Sequence, residues 1–150
     1  MQLEISTSEA MEALGSRLAG FFRMGDLVLL SGELGAGKTT LTRGIGDALG
    51  AIGTIQSPTF VLAREHRISS GGKLVHVDAY RLSSAIELDD LDIDFAGSIV
   101  VVEWARDFLD GYAESFLSVE IERNSNDEIR LVEISGHGSR WEGVDLVSLN

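Results

Sequence analysis

The chain has 150 residues, 44% of them hydrophobic, a length that buries one sizeable core and is too short for two ordinary domains. Its 24 acidic against 12 basic residues leave a formal net charge of −12, which argues against a stand-alone grip on DNA or RNA, because that affinity comes from Lys and Arg set against phosphates. The absence of cysteine excludes disulfides, thiolate metal sites and thiol catalysis, and it fits a reducing compartment.

Taken in chain order, Gln2 to Ile5 predicts a short strand, and Ser6 with Glu9 has the spacing of a capping box. Met11, Leu14, Leu18, Phe21 and Phe22 then recur at helical spacing, which predicts an amphipathic first helix. Gly25-Asp26 turns the chain into Leu27 to Leu30, whose continuous apolar character suits a strand buried on both faces, as in parallel sheets. A glycine-rich loop follows, then a helical pattern from Lys38 to Leu49 with Gly50 as its C-cap. Phe60 to His66 and Lys73 to Asp78, separated by Ser69-Ser70-Gly71-Gly72, read as a hairpin. An acidic helix or loop spans Ser84 to Asp94, and Ser98 to Glu103 is a second strongly apolar strand. Leu117 to Glu122 and Glu128 to Ile134 alternate around Asn124 to Asp127 as a final hairpin. The pattern predicts a single α/β domain over residues 1–150, a mixed sheet flanked by helices.

The longest aliphatic runs, Leu27 to Leu30 and Ile99 to Val102, fall far short of the roughly 20 residues a membrane helix needs. Met1 to Thr7 shows no basic region followed by an apolar run, so the expected location is the cytoplasm, with no membrane partner.

Gly32-Glu33-Leu34-Gly35-Ala36-Gly37-Lys38-Thr39 satisfies G-x-x-x-x-G-K-[ST] and lies between a predicted strand and a predicted helix, the context of a P-loop. Glycines at 32, 35 and 37 let successive backbone N–H groups point at phosphate oxygens while the following helix presents its positive end. In that role Lys38 bridges the β- and γ-phosphates, Thr39 offers its hydroxyl to Mg²⁺ and Thr40 reaches the α-phosphate. Phosphoryl transfer also calls for a carboxylate near the metal, and two acids each end an apolar strand, Asp78 and Glu103. Ser57-Pro58-Thr59-Phe60 holds the only proline and follows the P-loop helix, where related NTPases place a γ-phosphate-sensing switch; as a tetrapeptide it is equally an ordinary turn.

Gly32 to Thr40, Ser57 to Phe60, His76-Val77-Asp78-Ala79-Tyr80-Arg81-Leu82 and Val102-Glu103-Trp104 occur in the order of the bacterial TsaE family, which the chain resembles over about residues 5 to 122. That family is the P-loop ATPase of tRNA threonylcarbamoyladenosine biosynthesis. The resemblance implies ATP or ADP and Mg²⁺ as cofactors, with Thr39 and Glu103 as metal ligands and Asp78 as a functional acid near the γ-phosphate. It also implies a switch at Ser57, Pro58 and Thr59, Trp104 beside the nucleotide, and contact with the base from Thr7 and Ser8. It implies further that the ATPase is weak alone and works with TsaB and TsaD, TsaD transferring threonylcarbamoyl to adenosine 37 of tRNA. An acidic subunit suits this division, with tRNA reached only through the complex. The cluster Glu87, Asp89, Asp90, Asp92 and Asp94 is a candidate docking surface, although a charge run is usually a solvated face. Asp92 stands where the family often has glycine, and residues 135–150 carry no family motif.

Three other readings compete. A GTPase needs an Asn/Thr-Lys-x-Asp element, and the only lysines, Lys38 and Lys73, are not in one; Asp94-Phe95-Ala96-Gly97 has the letters D-x-x-G but precedes its strand. A small-molecule kinase would find acceptor-site cations in Arg64, Arg67 and Arg81, but no lid segment is evident. A nucleotide-gated interaction module overlaps with the family reading.

Overall fold

A computed structural model describes residues 1–58, 62–103, 111–124 and 128–150. In chain order they form β1 (Gln2–Ile5), α1 (Ser8–Ala19), β2 (Leu27–Gly32), α2 (Lys38–Leu49), β3 (Ala63–Arg67), β4 (Lys73–Asp78), α3 (Ala85–Asp89), β5 (Ser98–Glu103), β6 (Phe116–Arg123) and β7 (Arg130–His137). Short 3-10 turns lie at Ala79–Arg81, Ser139–Trp141 and Leu146–Leu149. Among the described residues no helix is long and apolar enough to cross a membrane.

The apolar runs Leu27 to Leu30 and Ile99 to Val102 become neighbouring parallel strands, because a strand that is apolar on both faces is stable only inside a sheet covered on both sides. The seven strands lie in the order β1-β7-β6-β2-β5-β4-β3. Pairings β6–β2, β2–β5 and β5–β4 are parallel; β1–β7, β7–β6 and β4–β3 are antiparallel at the two margins. One face of the sheet, with Val28, Leu30, Ile99, Val101, Val119 and Val132, packs on Met11, Leu14 and Leu18 of α1 and Leu41 and Ile45 of α2. The other, with Leu27, Leu29, Val75, Val77, Val100 and Val102, is covered by Leu82, Leu88 and the half-buried Phe95 and Tyr112.

Helices α1 and α2 approach closely because two glycines meet backbone. A Cβ on Gly44 would run into the Glu12 carbonyl, and one on Gly15 into that of Leu41. Ser16 Oγ donates to Gly44 O at 3.2 Å across the same contact. Gly44 costs α2 roughly 0.5–1 kcal/mol of helix propensity, and the close approach offsets that cost by holding α2 against α1.

Several expected boundaries move. Ser6 and Glu9 do not form the cap of α1; Thr7 takes the extended N-cap geometry, and its hydroxyl accepts the Ala10 N–H at 3.0 Å. The helix also stops before Phe21 and Phe22. The Phe21 carbonyl accepts from Arg140 at 2.7 Å, and Asp26 takes the Arg23 N–H and both Arg140 donors, so the chain leaves the helix to meet that buried pair. Phe22 packs edge-on against Trp141 at 6.3 Å, and the Arg140 guanidinium lies 4.3 Å from the centre of that ring. The motif-less C-terminal segment is thus a clasp over the entry to β2.

β2 runs two residues beyond Leu30, because Ser31 and Gly32 pair with Glu120 and Ile121 of β6. β3 ends at Arg67, one residue past the expected His66, and the expected start at Phe60 lies outside the described residues. The final hairpin is Phe116–Arg123 with Arg130–His137, longer at its far end than its alternation suggested. Gly50 caps α2 in the left-handed region, as expected.

The acidic stretch Ser84 to Asp94 is helical only over Ala85–Asp89. The Glu87 carboxylate accepts from the Ser83 N–H, which with the Ser83 hydroxyl holds its carboxyl below the usual range. Asp89 accepts the Tyr112 hydroxyl at 2.6 Å, and burial followed by that bond pushes the Tyr112 phenol up to about 12. Asp94 accepts the Gly97 N–H at 3.2 Å, so the D-x-x-G letters make a turn into β5. These bonds account for three of the five acids without a partner protein. Asp92 adopts φ 53°, the backbone region that favours glycine, which explains why a glycine suits this position.

Gly44→Ala is expected to destabilise the protein by about 1–3 kcal/mol in urea unfolding, since overpacking at the α1–α2 contact outweighs the gain in helix propensity. A neutral or stabilising result would mean that the two helices part freely. Thr7→Ala is expected to lose about 1 kcal/mol from the cap, whereas Ser6→Ala changes stability by no more than about 0.5 kcal/mol. The reverse order in thermal unfolding would return the cap to Ser6.

Candidate functional site

Gly32, Asp78 and Glu103 end three parallel strands at the same margin of the sheet, the margin at which open α/β sheets form ligand crevices. β2 is the strand between the two halves of the sheet, so the loop that leaves it opens between β5 and β6. Gly37 is the N-cap of α2 at φ 117°, a conformation that lets the helix begin immediately after the loop. Gly37 has no side chain with which to cap that helix, and no acid lies in its first turn. The positive end of its dipole therefore points at the loop.

Lys38 is 5% exposed and curls back over the loop, its Nζ donating to Gly32 O at 2.7 Å and Glu33 O at 3.0 Å. Burial lowers its pKa, opposed by the nearby charges of Glu103, Asp78 and Glu33. Asp78 and Glu103 are directly paired in the β4–β5 register and are 5% and 2% exposed. Asp78 Oδ1 accepts the Tyr80 N–H at 2.9 Å. Thr39 Oγ1 lies 3.4 Å from Glu103 Oε1, within reach but long, and His76 Nε2 lies 3.1 Å from the same oxygen. A cleft of about 550 Å³ joins Lys38, Thr39, Ser57, Asp78 and Glu103, with Leu34 and Tyr80 exposed at its mouth.

A second recess of about 230 Å³ lies beside the loop, lined by Thr7, Ser8, Gly35, Ala36, Gly37, Thr40 and Arg130. Thr7 and Ser8 border this recess, and the Thr7 hydroxyl caps α1. Arg130 was not legible as a site residue: its Nε donates to Ala36 O at 3.1 Å across most of the chain, a contact that only the β6–β7 hairpin creates. Pro58 is buried, while Thr59 and Trp104 lie outside the described residues. Gly32 and Glu33 meet Lys38 through their carbonyls.

Among the described residues no three His, Cys, Asp or Glu side chains group into a metal cage. One carboxylate, one hydroxyl and an open cleft fit instead an ion such as Mg²⁺, which keeps water and takes most of its remaining ligands from phosphate. Two buried acids thus lie side by side in the same cleft as the start of α2.

The model of the family described as "Threonylcarbamoyl adenosine biosynthesis protein TsaE" matches residues 5–132. The tRNA threonylcarbamoyladenosine biosynthesis protein TsaE of Streptomyces coelicolor is 50% identical over 143 residues, covering 91% of this chain and 97% of that protein. The protein of the same name from Bacillus subtilis is 35% identical over 135 residues, covering 89% and 84%. A crystal structure of Bacillus subtilis YdiB superposes with a TM-score of 0.78 at 29% identity, covering 95% of this chain and 88% of that one.

Proposed function

We propose, from the premise that this chain belongs to the TsaE family of threonylcarbamoyl adenosine biosynthesis, that it binds ATP with Mg²⁺ in the cleft and hydrolyses it in support of tRNA modification. The observation that carries the reading is the uncapped start of α2, with Lys38, facing the buried carboxylates of Asp78 and Glu103 across one cleft. A glycine-rich loop of backbone amides with one buried ammonium, set against two acids, suits a phosphate chain that arrives with its own divalent ion.

In this reading the amides from Glu33 to Thr40 hold the phosphates, and the Lys38 ammonium exchanges the Gly32 and Glu33 carbonyls for phosphate oxygens. Thr39 and Glu103 are the residues that would hold the metal, which when bound neutralises charge developing on the transferred phosphoryl group. Asp78, with one oxygen anchored by the Tyr80 amide, presents a carboxylate to the attacking water. Thr7, Ser8 and Arg130 border the recess next to the loop, where the nucleoside end would lie. Ser57, Pro58 and Thr59 form the switch and Trp104 packs beside the nucleotide, by the family resemblance.

TsaB and TsaD are the proposed partners, and tRNA is met through them. The net charge of −12 supports this, since few cations are left to grip RNA. A nucleotide-gated interaction is a second reading of the same site, favoured by Leu34 on the loop and Tyr80 in the turn after Asp78, 85% and 73% exposed at the mouth of the cleft. A kinase is less well supported, because, of its three candidate cations, Arg64 and Arg67 lie on the margin strand β3 and only Arg81, in the turn after Asp78, is near the cleft.

Phosphate release measured with and without TsaB, TsaD and tRNA tests the reading. It is expected to be slow alone and faster in the complex, and a phosphorylated metabolite in place of free phosphate would establish a kinase. Lys38→Ala is expected to lower nucleotide affinity at least about tenfold with the fold intact, on the scale of a charge-assisted hydrogen bond. Glu103→Ala is expected to reduce Mg²⁺-dependent turnover more than nucleotide binding. Wild-type turnover by folded Lys38→Ala, or equal losses of binding and turnover in Glu103→Ala, would contradict these roles.

A further inference from the structure

Beside the proposed site, the buried side chain of His76 has no part in the proposed chemistry. His76 is wholly buried in β4, and Val101 of β5 and Arg64 of β3 are its neighbours in register. Among the described residues neither of its ring nitrogens has a hydrogen-bond partner. Its Nε2 nevertheless lies 3.1 Å from Glu103 Oε1, and Glu103 is as enclosed as His76. The distance is that of a hydrogen bond and only the alignment is missing, so a small turn of the carboxylate completes it. A buried imidazole without an aligned partner costs about 1–3 kcal/mol on general grounds, and an apolar side chain of similar size would avoid that cost. The polar group is therefore accounted for by something other than packing.

We propose that His76 is the positioning residue for Glu103: its Nε2–H, together with the Thr39 hydroxyl, holds Oε1, so that Oε2 is the oxygen offered to the cleft. The geometry is that of an outer partner orienting a ligand, with an N–H group fixing one carboxylate oxygen and thereby the direction of the other. Thr39 Oγ1 at 3.4 Å is too long to orient Glu103 by itself. His76 approaches from within the sheet, on a strand whose register with β5 places it two residues before Asp78, the pairing partner of Glu103. It is not among the residues that line the cleft, and it acts through Glu103 alone. This inference rests on Glu103 as the metal-facing acid.

The test compares His76→Leu, which keeps volume and removes the donor, with His76→Gln, which keeps an N–H near the position of Nε2. Mn²⁺ binding to the protein with a non-hydrolysable ATP analogue is read by electron paramagnetic resonance, and analogue affinity is read separately in EDTA. His76→Leu is expected to weaken metal binding about 10- to 100-fold while metal-free analogue affinity stays within about twofold. His76→Gln is expected to recover most of the loss. Wild-type metal affinity in His76→Leu, or an equal loss in folded His76→Gln, would overturn the proposal and leave His76 a packing residue. An absence of metal binding in the wild type would instead fail the functional reading itself, and this inference with it. Nitrogen-15 correlation spectra of the histidines in the wild-type protein supply a result that needs no variant. A proton on His76 Nε2 is expected, and a neutral ring protonated only on Nδ1 would turn a lone pair toward the carboxylate and overturn the proposal.

Discussion

The passage from β2 to α2 takes only the residues between Gly32 and Lys38, and that abruptness decides where every other part of the site stands. A helix that starts so soon after a central parallel strand must aim its first amides over the margin of the sheet. Gly37 permits the turn by taking φ 117°, and the glycine contacts between α1 and α2 keep the helix from sliding away. The neighbouring strands then bring their last residues, Asp78 and Glu103, to the same margin without any further device. Lys38 is drawn inward by loop carbonyls and by the three acids around it.

That geometry carries an electrostatic tension. Asp78 and Glu103 are like charges, adjacent in register and almost enclosed, an arrangement that needs positive charge nearby to persist. Lys38 supplies part of it, at the cost of its own desolvation. In the proposed function a chelated divalent ion would supply the rest, and one ligand would meet both the acidic and the amide-rich half of the cleft. The remainder of the molecule serves as a rigid mount: the Asp26–Arg140 pair ties the C-terminal turns to the entry of β2, at the opposite end of the strand from the loop.

The strands and motifs that define the architecture were legible in the sequence because they are long apolar runs ending in an acid, or a glycine pattern with one mechanical purpose. Gly32 to Thr40, Asp78 and Glu103 fall in this group. What was not legible depends on contacts made across the chain. Ser6 and Thr7 are both acceptable caps, and only the helix start at Ser8 chooses between them. Phe21 and Phe22 continue the helical period, but Arg140, more than a hundred residues away, takes the Phe21 carbonyl. β3, with its Ala-Arg-Glu-His-Arg sequence, carries little of the apolar signal that marks the strands inside the sheet. The approach of His76 to Glu103 follows from the register of β4 on β5, and that of Arg130 to Ala36 from the final hairpin; neither register is written in local periodicity.

In the proposed function the amides of residues 32–40 enclose a polyphosphate, with the Lys38 ammonium drawn to it. Isothermal calorimetry of the folded wild-type protein with ATP and with ADP, each with and without Mg²⁺, measures that most directly. Saturable binding of both nucleotides, strengthened by Mg²⁺, is the predicted result. A protein with its full secondary structure by circular dichroism that takes up neither nucleotide in the presence of Mg²⁺ would contradict it.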